Sequence, residues 1–172
     1  VRGEPGLGKS RLLRNRVATA PPHLAVAIAG GDRLATAASY SSWRGALLTM
    51  LDQPADPEAA VAAAAELVAR AETLGPLLAA PLGYEIPDNT VTRHLEAEER
   101  ADLTERLLVD LTLAWARRGD AVVLVEDGHW LDEATASVVV ALVNDPTTCG
   151  LGVVVLARPD LALPTDVRFA AT

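Results

Sequence analysis

The feature that most constrains this chain is a glycine-rich octapeptide close to its first residue. Residues 3–10 read Gly-Glu-Pro-Gly-Leu-Gly-Lys-Ser and fit the pattern G-x-x-x-x-G-K-S/T at every fixed position. Such a loop turns its backbone N–H groups toward phosphate oxygens, and the helix that follows adds the positive end of its dipole. A glycine-rich turn that only caps a helix is the plain alternative, and the position of the loop between a strand end and a helical segment disfavours it. The loop therefore predicts a phosphate-binding strand–loop–helix unit.

Individual residues of this loop have distinct predicted roles. Lys9 is the only lysine of the chain, and it would place a compact positive charge beside the β- and γ-phosphates. The Ser10 hydroxyl would be a ligand of Mg²⁺. The residues predicted to bind the nucleotide are Gly3, Glu4, Pro5, Gly6, Leu7, Gly8, Lys9, Ser10 and Arg11.

A second candidate motif is a pair of carboxylates at the end of an apolar run. Residues 121–125 read Ala-Val-Val-Leu-Val and are followed by Glu126 and Asp127. A buried parallel strand delivers such side chains to its carboxyl end, where open α/β sheets bind ligands. We expect Glu126 to hold Mg²⁺ and Asp127 to orient the attacking water. An acidic turn between a strand and a helix is the alternative for this pair alone, and the glycine-rich loop favours the functional interpretation.

The rest of the chain alternates between short apolar runs and helical segments. Strands are predicted at residues 23–29, 121–125 and 151–157, with the end of a further strand at residues 1–2. Helices are predicted at residues 9–18, 43–51, 58–72, 91–118 and 134–143. This alternation predicts an α/β fold with a parallel sheet flanked by helices. We interpret residues 1–172 as one P-loop domain, incomplete at both ends and with a truncated first strand, in which residues 31–120 form a mostly helical insert.

Composition excludes several other classes of protein. Half of the 172 residues are hydrophobic, which is too many for a disordered acidic tail. The formal net charge of −8 argues against direct nucleic-acid binding, because counterion release requires clustered Lys and Arg. No apolar run approaches the roughly 20 residues of a membrane span. The single cysteine, Cys149, cannot form an internal disulfide, so we expect a cytoplasmic location.

The spacing of the two motifs distinguishes among phosphate-loop proteins. An Asp-x-x-Gly motif does not follow the acidic strand, since residue 130 is Trp. An Asn-Lys-x-Asp motif is excluded because Lys9 is the only lysine. The pattern therefore favours ATPases of the additional-strand type over GTPases, with ATP and Mg²⁺ as the expected cofactors. A small-molecule kinase and a nucleotide-bound scaffold without hydrolysis stay open as alternatives.

Four segments resemble one group of bacterial ATPase domains. They read GEPGLGKSRLL, ASYSSWRGALL, VVLVEDGHWLDEAT and VVVLARPD, and together they span about residues 3–160. These segments look like the STAND-type, origin-recognition-like AAA ATPase domains of large LuxR-family transcriptional regulators and some class III adenylyl cyclases. The resemblance implies an ATP/ADP-operated switch in signal transduction. We also expect ATP-dependent self-association of the full-length parent protein.

The resemblance also implies roles for residues at the ends of two strands. Glu126 takes the metal-coordinating position and Asp127 the catalytic one, while Arg158 falls where the family carries a residue that senses the γ-phosphate. Gly128 replaces the usual apolar residue, and we expect it to loosen the turn. The family's strand order, 5-1-4-3-2, would place the truncated first strand at the sheet centre. We therefore expect the isolated chain to be marginally stable and to bind ATP poorly.

Several neighbouring residues have structural interpretations. We expect His129 and Trp130 to lock the loop by packing and hydrogen bonding. Asp132 is predicted to be the N-cap of the following helix. Tyr40 and Trp43 match the resemblance, but we interpret them as packing residues.

Overall fold

A three-stranded parallel sheet is the centre of the structure. The computed structural model describes residues 8, 11, 15, 17, 19–30, 39–147 and 150–157. The strands are β1 (Ala25–Gly30), β2 (Ala121–Glu126) and β3 (Leu151–Val155), hydrogen-bonded in the order β1-β2-β3. The predicted α/β class, a parallel sheet flanked by helices, is confirmed. In the order expected from the resemblance, the strand at residues 1–2 counts as strand 1, so β1, β2 and β3 correspond to strands 2, 3 and 4. Their observed order agrees with the 4-3-2 part of that expectation. Residues 1–2 lie outside the described residues.

The middle strand, β2, is formed by the continuous apolar run at residues 121–125, and its position in the sheet accounts for that composition. Five of the six residues of β2 are buried, and the strand is paired on both edges. Helices cover both faces of a parallel sheet, so its strands need apolar side chains in both directions. In the register, Gly30 of β1 lies beside Glu126, and Val125 lies beside Val155 of β3. The three carboxyl ends therefore meet at one edge of the sheet.

Six α-helices accompany this sheet within the described ranges. They are α1 (Arg44–Met50), α2 (Pro57–Leu67), α3 (Ala71–Leu74), α4 (Ala79–Leu82), α5 (Ala97–Ala116) and α6 (Glu133–Asn144). Short 3₁₀ helices lie at Ser41–Trp43, Gly75–Leu78, Thr92–His94 and Gly128–Trp130. Of the predicted helix at residues 9–18, Arg11, Asn15 and Val17 have helical backbone. None of the helices in the described ranges is long and apolar enough to cross a membrane.

Two predicted helices are shorter than expected, for local reasons. The one predicted at 58–72 ends at Leu67 because Val68 is extended, with φ −141° and ψ 109°, and α3 follows as a separate turn. The one predicted at 91–118 begins only at Ala97. There the Asn89 side chain accepts hydrogen bonds from the N–H groups of Val91 and Thr92, which holds this segment in a tight turn.

The core contains buried residues of the sheet, of α1 and of the long helix α5. Leu107 and Leu111 of α5 are fully buried, as the four-residue spacing of its leucines predicts. Trp43 is also fully buried, which confirms its interpretation as a packing residue. Helix α1 lies directly against β1, because a Cβ at Gly45 would come within 2.8 Å of the Ile28 carbonyl oxygen.

Candidate functional site

The carboxyl edge of the sheet carries the predicted acidic pair. Glu126 is the last residue of β2 and is 8% exposed. Asp127 follows it immediately and is exposed. The two carboxylates therefore differ in environment: one lies within the sheet edge and the other faces solvent. A buried carboxylate suits a fixed metal ligand, and an accessible one suits contact with water.

Asp127 leaves the strand through an unusual backbone conformation. Its φ of 49° and ψ of 43° lie in the left-handed region, which Asp and Asn tolerate better than other non-glycine residues. The chain then turns into the 3₁₀ helix Gly128–Trp130, where the Trp130 N–H donates to the Asp127 carbonyl over 2.8 Å. The turn separates the Asp127 side chain from the regular alternation of β2.

Gly128 tightens this turn, so the expectation that it loosens the turn was wrong. It is buried, and its N–H donates to the Leu156 carbonyl over 2.7 Å. A Cβ at this position would lie 2.8 Å from Val155 Cγ1 and 3.2 Å from the Leu156 carbonyl oxygen. Glycine is required here because the turn lies directly against the end of β3.

Asp132 does more than the predicted capping. As the N-cap of α6 it accepts hydrogen bonds from the Thr135 N–H at 2.9 Å and the Thr135 hydroxyl at 2.8 Å. It also accepts from the Tyr40 N–H at 2.8 Å and the Ser42 N–H at 3.2 Å. Two segments about 90 residues apart in sequence are thereby joined through one buried carboxylate. Sequence reasoning missed this link, although both segments were part of the resemblance.

The ionisation of Asp132 is stabilised by these contacts. Burial on its own would raise the pKa of this carboxyl group. The hydrogen bonds from Thr135, Tyr40 and Ser42 outweigh burial and hold the pKa below its usual value. Asp132 is therefore a charged group at neutral pH, and its charge is balanced by four donors.

The two aromatic rings after Gly128 contact each other, in partial agreement with prediction. The His129 and Trp130 ring centroids are 5.2 Å apart with a 46° interplanar angle. The predicted packing is thus present. The predicted hydrogen bonding is wrong for His129, because neither of its buried ring nitrogens has a partner in the part of the chain that the structure describes.

Most of the predicted phosphate-binding residues lie outside the described residues. These are Gly3, Glu4, Pro5, Gly6, Leu7, Lys9 and Ser10, and the same holds for Arg158. Gly8 is described and has φ 74°, a conformation that glycine adopts readily; Arg11 is exposed. Within the described ranges, no group of three or more His, Cys, Asp or Glu residues is arranged to hold a metal ion.

Comparison with known proteins identifies the family of this fold. Residues 1–156, about nine-tenths of the chain, match the sequence profile of the AAA ATPase domain. The chain belongs to the AAA ATPase domain family. No curated protein and no solved structure matches the chain significantly. In this AAA ATPase domain, the matched region includes the glycine-rich octapeptide at residues 3–10, the three strands of the described ranges and the acidic pair.

Proposed function

We propose that this AAA ATPase domain binds ATP with Mg²⁺ and hydrolyses it slowly, as a regulatory switch. The observation that carries this proposal is the shared sheet edge, where β2 ends in a buried and then an exposed carboxylate. Open parallel sheets bind nucleotides at this edge. The family match supports a nucleotide-binding module.

The residues at this edge fit the chemistry of a magnesium nucleotide. Mg²⁺ takes oxygen ligands from one or two protein groups and from phosphates, and the Glu126 carboxylate and the Ser10 hydroxyl are such groups. Bound Mg²⁺-ATP would supply the γ-phosphoryl group for cleavage. Lys9 would bind the β- and γ-phosphates, and Asp127 would orient a water molecule and accept its proton. Arg158 would contact the γ-phosphate and so distinguish ATP from ADP.

The expected rate of hydrolysis is low. The sequence offers no identifiable arginine finger, a group worth about 10³–10⁵ in the rate of phosphoryl transfer. A slow enzyme stays in its ATP-bound state long enough to report it to other domains. We therefore assign this domain to a multidomain bacterial signalling protein. The resemblance implies that this protein is a LuxR-family transcriptional regulator. A helix-turn-helix domain encoded in the same reading frame would support the regulator.

Substitution of Asp127 by Asn tests the assigned chemistry. Asn also tolerates the left-handed conformation at this position, so the backbone is preserved. ADP release should fall by at least about tenfold, since a general base contributes roughly 10²–10⁴ to rate, while ATP affinity is retained. The matched control is Asp120→Asn, which removes the same charge at the opposite end of β2. Equal loss of ATP affinity and hydrolysis in the Asp127→Asn variant would contradict the assignment.

The same assay with Lys9→Ala tests the phosphate loop. Affinity for ATP should fall, and the exposed Arg118→Ala variant is the control for loss of one positive charge. Unchanged affinity in the Lys9→Ala variant would remove the basis of the proposal. ADP release that requires an added small-molecule acceptor would instead favour the kinase alternative.

A further inference from the structure

The acidity of this domain is concentrated in its helical region. Residues 52–99 contain ten acidic and only two basic residues, so this segment carries a net charge of −8, equal to that of the entire chain. Positive and negative charges balance over the rest of the sequence. The segment includes α2, α3 and α4 and lies outside the strands that carry the acidic pair. Its charge therefore needs an explanation separate from nucleotide binding.

An open groove lies within this acidic segment. Its volume is about 930 Å³, and its apolar lining comes from one side of α2 and from the loops that face it. Its apolar lining includes Val61, Ala62, Ala65, Pro76, Ile86 and Pro87. A volume of this size is within the range of ligand-binding clefts.

Helix α2 has two apolar sides, and only one of them belongs to the core. Ala60 and Ala64 are fully buried. Val61 and Ala65 are only half-buried and line the groove, and Ala62 is exposed beside them. The apolar side chains of this helix are thus divided between the core and an open surface. Apolar side chains on such a surface can still gain free energy by burial against a partner.

The walls of the groove are held in place by hydrogen bonds and close packing. The Asn89 side-chain amide donates to the Thr73 carbonyl over 2.7 Å, which ties the loop to the region of α3. The Tyr84 hydroxyl donates to the Pro54 carbonyl over 3.3 Å. A Cβ at Gly75 would come within 2.6 Å of the Val61 side chain, so this turn lies directly on α2. The groove is therefore preformed, which lowers the entropic cost of binding.

Carboxylates surround the apolar lining. Asp56, Glu58, Glu72 and Glu85 all line the groove and are exposed. No Lys, Arg or His is among the described residues that line it. The two basic residues of the segment are engaged nearby: Arg70 forms an ion pair with Asp110 at 2.6 Å, and Arg93 Nε donates to the Asn89 carbonyl. A ligand in this groove therefore meets an apolar floor and a negatively charged rim.

We propose that this groove binds a basic amphipathic peptide segment of another protein. Apolar side chains of that segment would cover Val61, Ala62 and Ala65, and its Lys or Arg side chains would pair with Glu72 and Glu85. Charge complementarity excludes nucleic acid and anionic membrane surfaces, which the rim would repel. Burial of an amphipathic helix or strand in an apolar groove is a recurrent mode of peptide recognition. The site is separate from the carboxylates of the sheet edge, so the inference does not depend on the proposed ATPase activity.

Peptide binding to charge-reversed variants tests the proposal. The probe is a fluorescent amphipathic helical peptide built of Leu and Lys, measured by anisotropy with the full chain. Glu72→Lys combined with Glu85→Lys should weaken its binding by about tenfold, since two attractive contacts become repulsive. The matched control combines Glu98→Lys with Asp102→Lys, two exposed carboxylates of α5 that do not line the groove. This control changes net charge equally and should alter affinity by less than about threefold.

Two further peptides separate the apolar and the electrostatic contributions. A Ser/Lys peptide of equal charge and a Leu/Glu peptide of equal hydrophobicity should both bind at least about tenfold more weakly than the Leu/Lys peptide. The proposal is overturned if the Leu/Lys peptide does not bind, if both charge-reversed variants lose affinity equally, or if the Ser/Lys peptide binds as well. It is also overturned if the groove variant dissociates a dimer of this chain in sedimentation, because the occupant is then a second copy. Circular dichroism confirms that each variant is folded.

Discussion

Asp132 and Asp56 are both aspartate N-caps, yet they act over very different ranges. Asp56 accepts a hydrogen bond from Ala59 N–H within its own helix, is exposed, and lines the acidic groove. Asp132 is buried and accepts four hydrogen bonds, two of them from a segment about 90 residues earlier. An aspartate at an N-cap thus makes only a local contact at the surface in one region, whereas in the other it also joins two segments that are distant in sequence. What differs is the neighbouring backbone, which the capping motif does not encode.

Substitution of Asp132 by Asn should lower the free energy of unfolding far more than the same substitution at Asp56, and this is the largest effect that we expect. The asparagine amide keeps one oxygen as an acceptor. Its NH₂ group, however, would face hydrogen-bond donors that the second carboxylate oxygen of Asp132 satisfies in the wild type. We expect the free energy of unfolding to fall by about 3 kcal/mol, since hydrogen bonds to a charged group contribute roughly 1.5–3 kcal/mol each and are not additive. Urea denaturation followed by circular dichroism measures this loss.

The matched control is Asp56→Asn, which makes the same chemical change at an exposed cap. Asn and Asp are nearly equal as N-caps, so the expected change is less than about 0.5 kcal/mol. Acid titration adds a second readout. Because the pKa of Asp132 is lowered in the folded state, its ionisation stabilises the fold above the unfolded value of about 3.9. That stabilisation is lost as the pH falls further, so the wild type and the Asp132→Asn variant should converge in acid. Equal effects of the two substitutions at neutral pH would contradict the long-range role of Asp132.

The sequence predicted local features of both regions and missed their long-range contacts. The strands were predictable because β2 is a continuous apolar run, and Asp132 was recognisable as a cap from its position before α6. Its contacts with Tyr40 and Ser42 were not predictable, because the donors are backbone N–H groups that leave no side-chain signature. The groove was missed because alanine suits a core and a surface equally, so the sequence could not divide α2 into its two apolar sides. Most of the phosphate loop stays a prediction.

Gly128 offers a second way to probe the sheet edge. Gly128→Ala should lower the free energy of unfolding by about 1–3 kcal/mol, the usual cost of adding a methyl group where there is no space. The reason is the contact at 2.8 Å that a Cβ would make with Val155. Gly119→Ala is the control, because a Cβ there would meet its nearest neighbour, the His23 carbonyl oxygen, at 3.9 Å. Thermal denaturation of both variants measures the difference, and an unchanged midpoint for Gly128→Ala would show that the turn has room to adjust.

Substitution of His129 should have the smallest effect on the free energy of unfolding, and it should raise that free energy where the other substitutions lower it. A buried polar group without a partner costs about 1–3 kcal/mol, so His129→Phe should raise the free energy of unfolding by about 1 kcal/mol. The ring contact with Trp130 is retained in that variant. The control is the exposed His94→Phe, for which we expect a change within about 0.5 kcal/mol. A loss of stability at position 129 would mean that its nitrogens do form hydrogen bonds in solution. A gain in stability accompanied by weaker ATP binding would instead assign those nitrogens to the nucleotide and add His129 to the site.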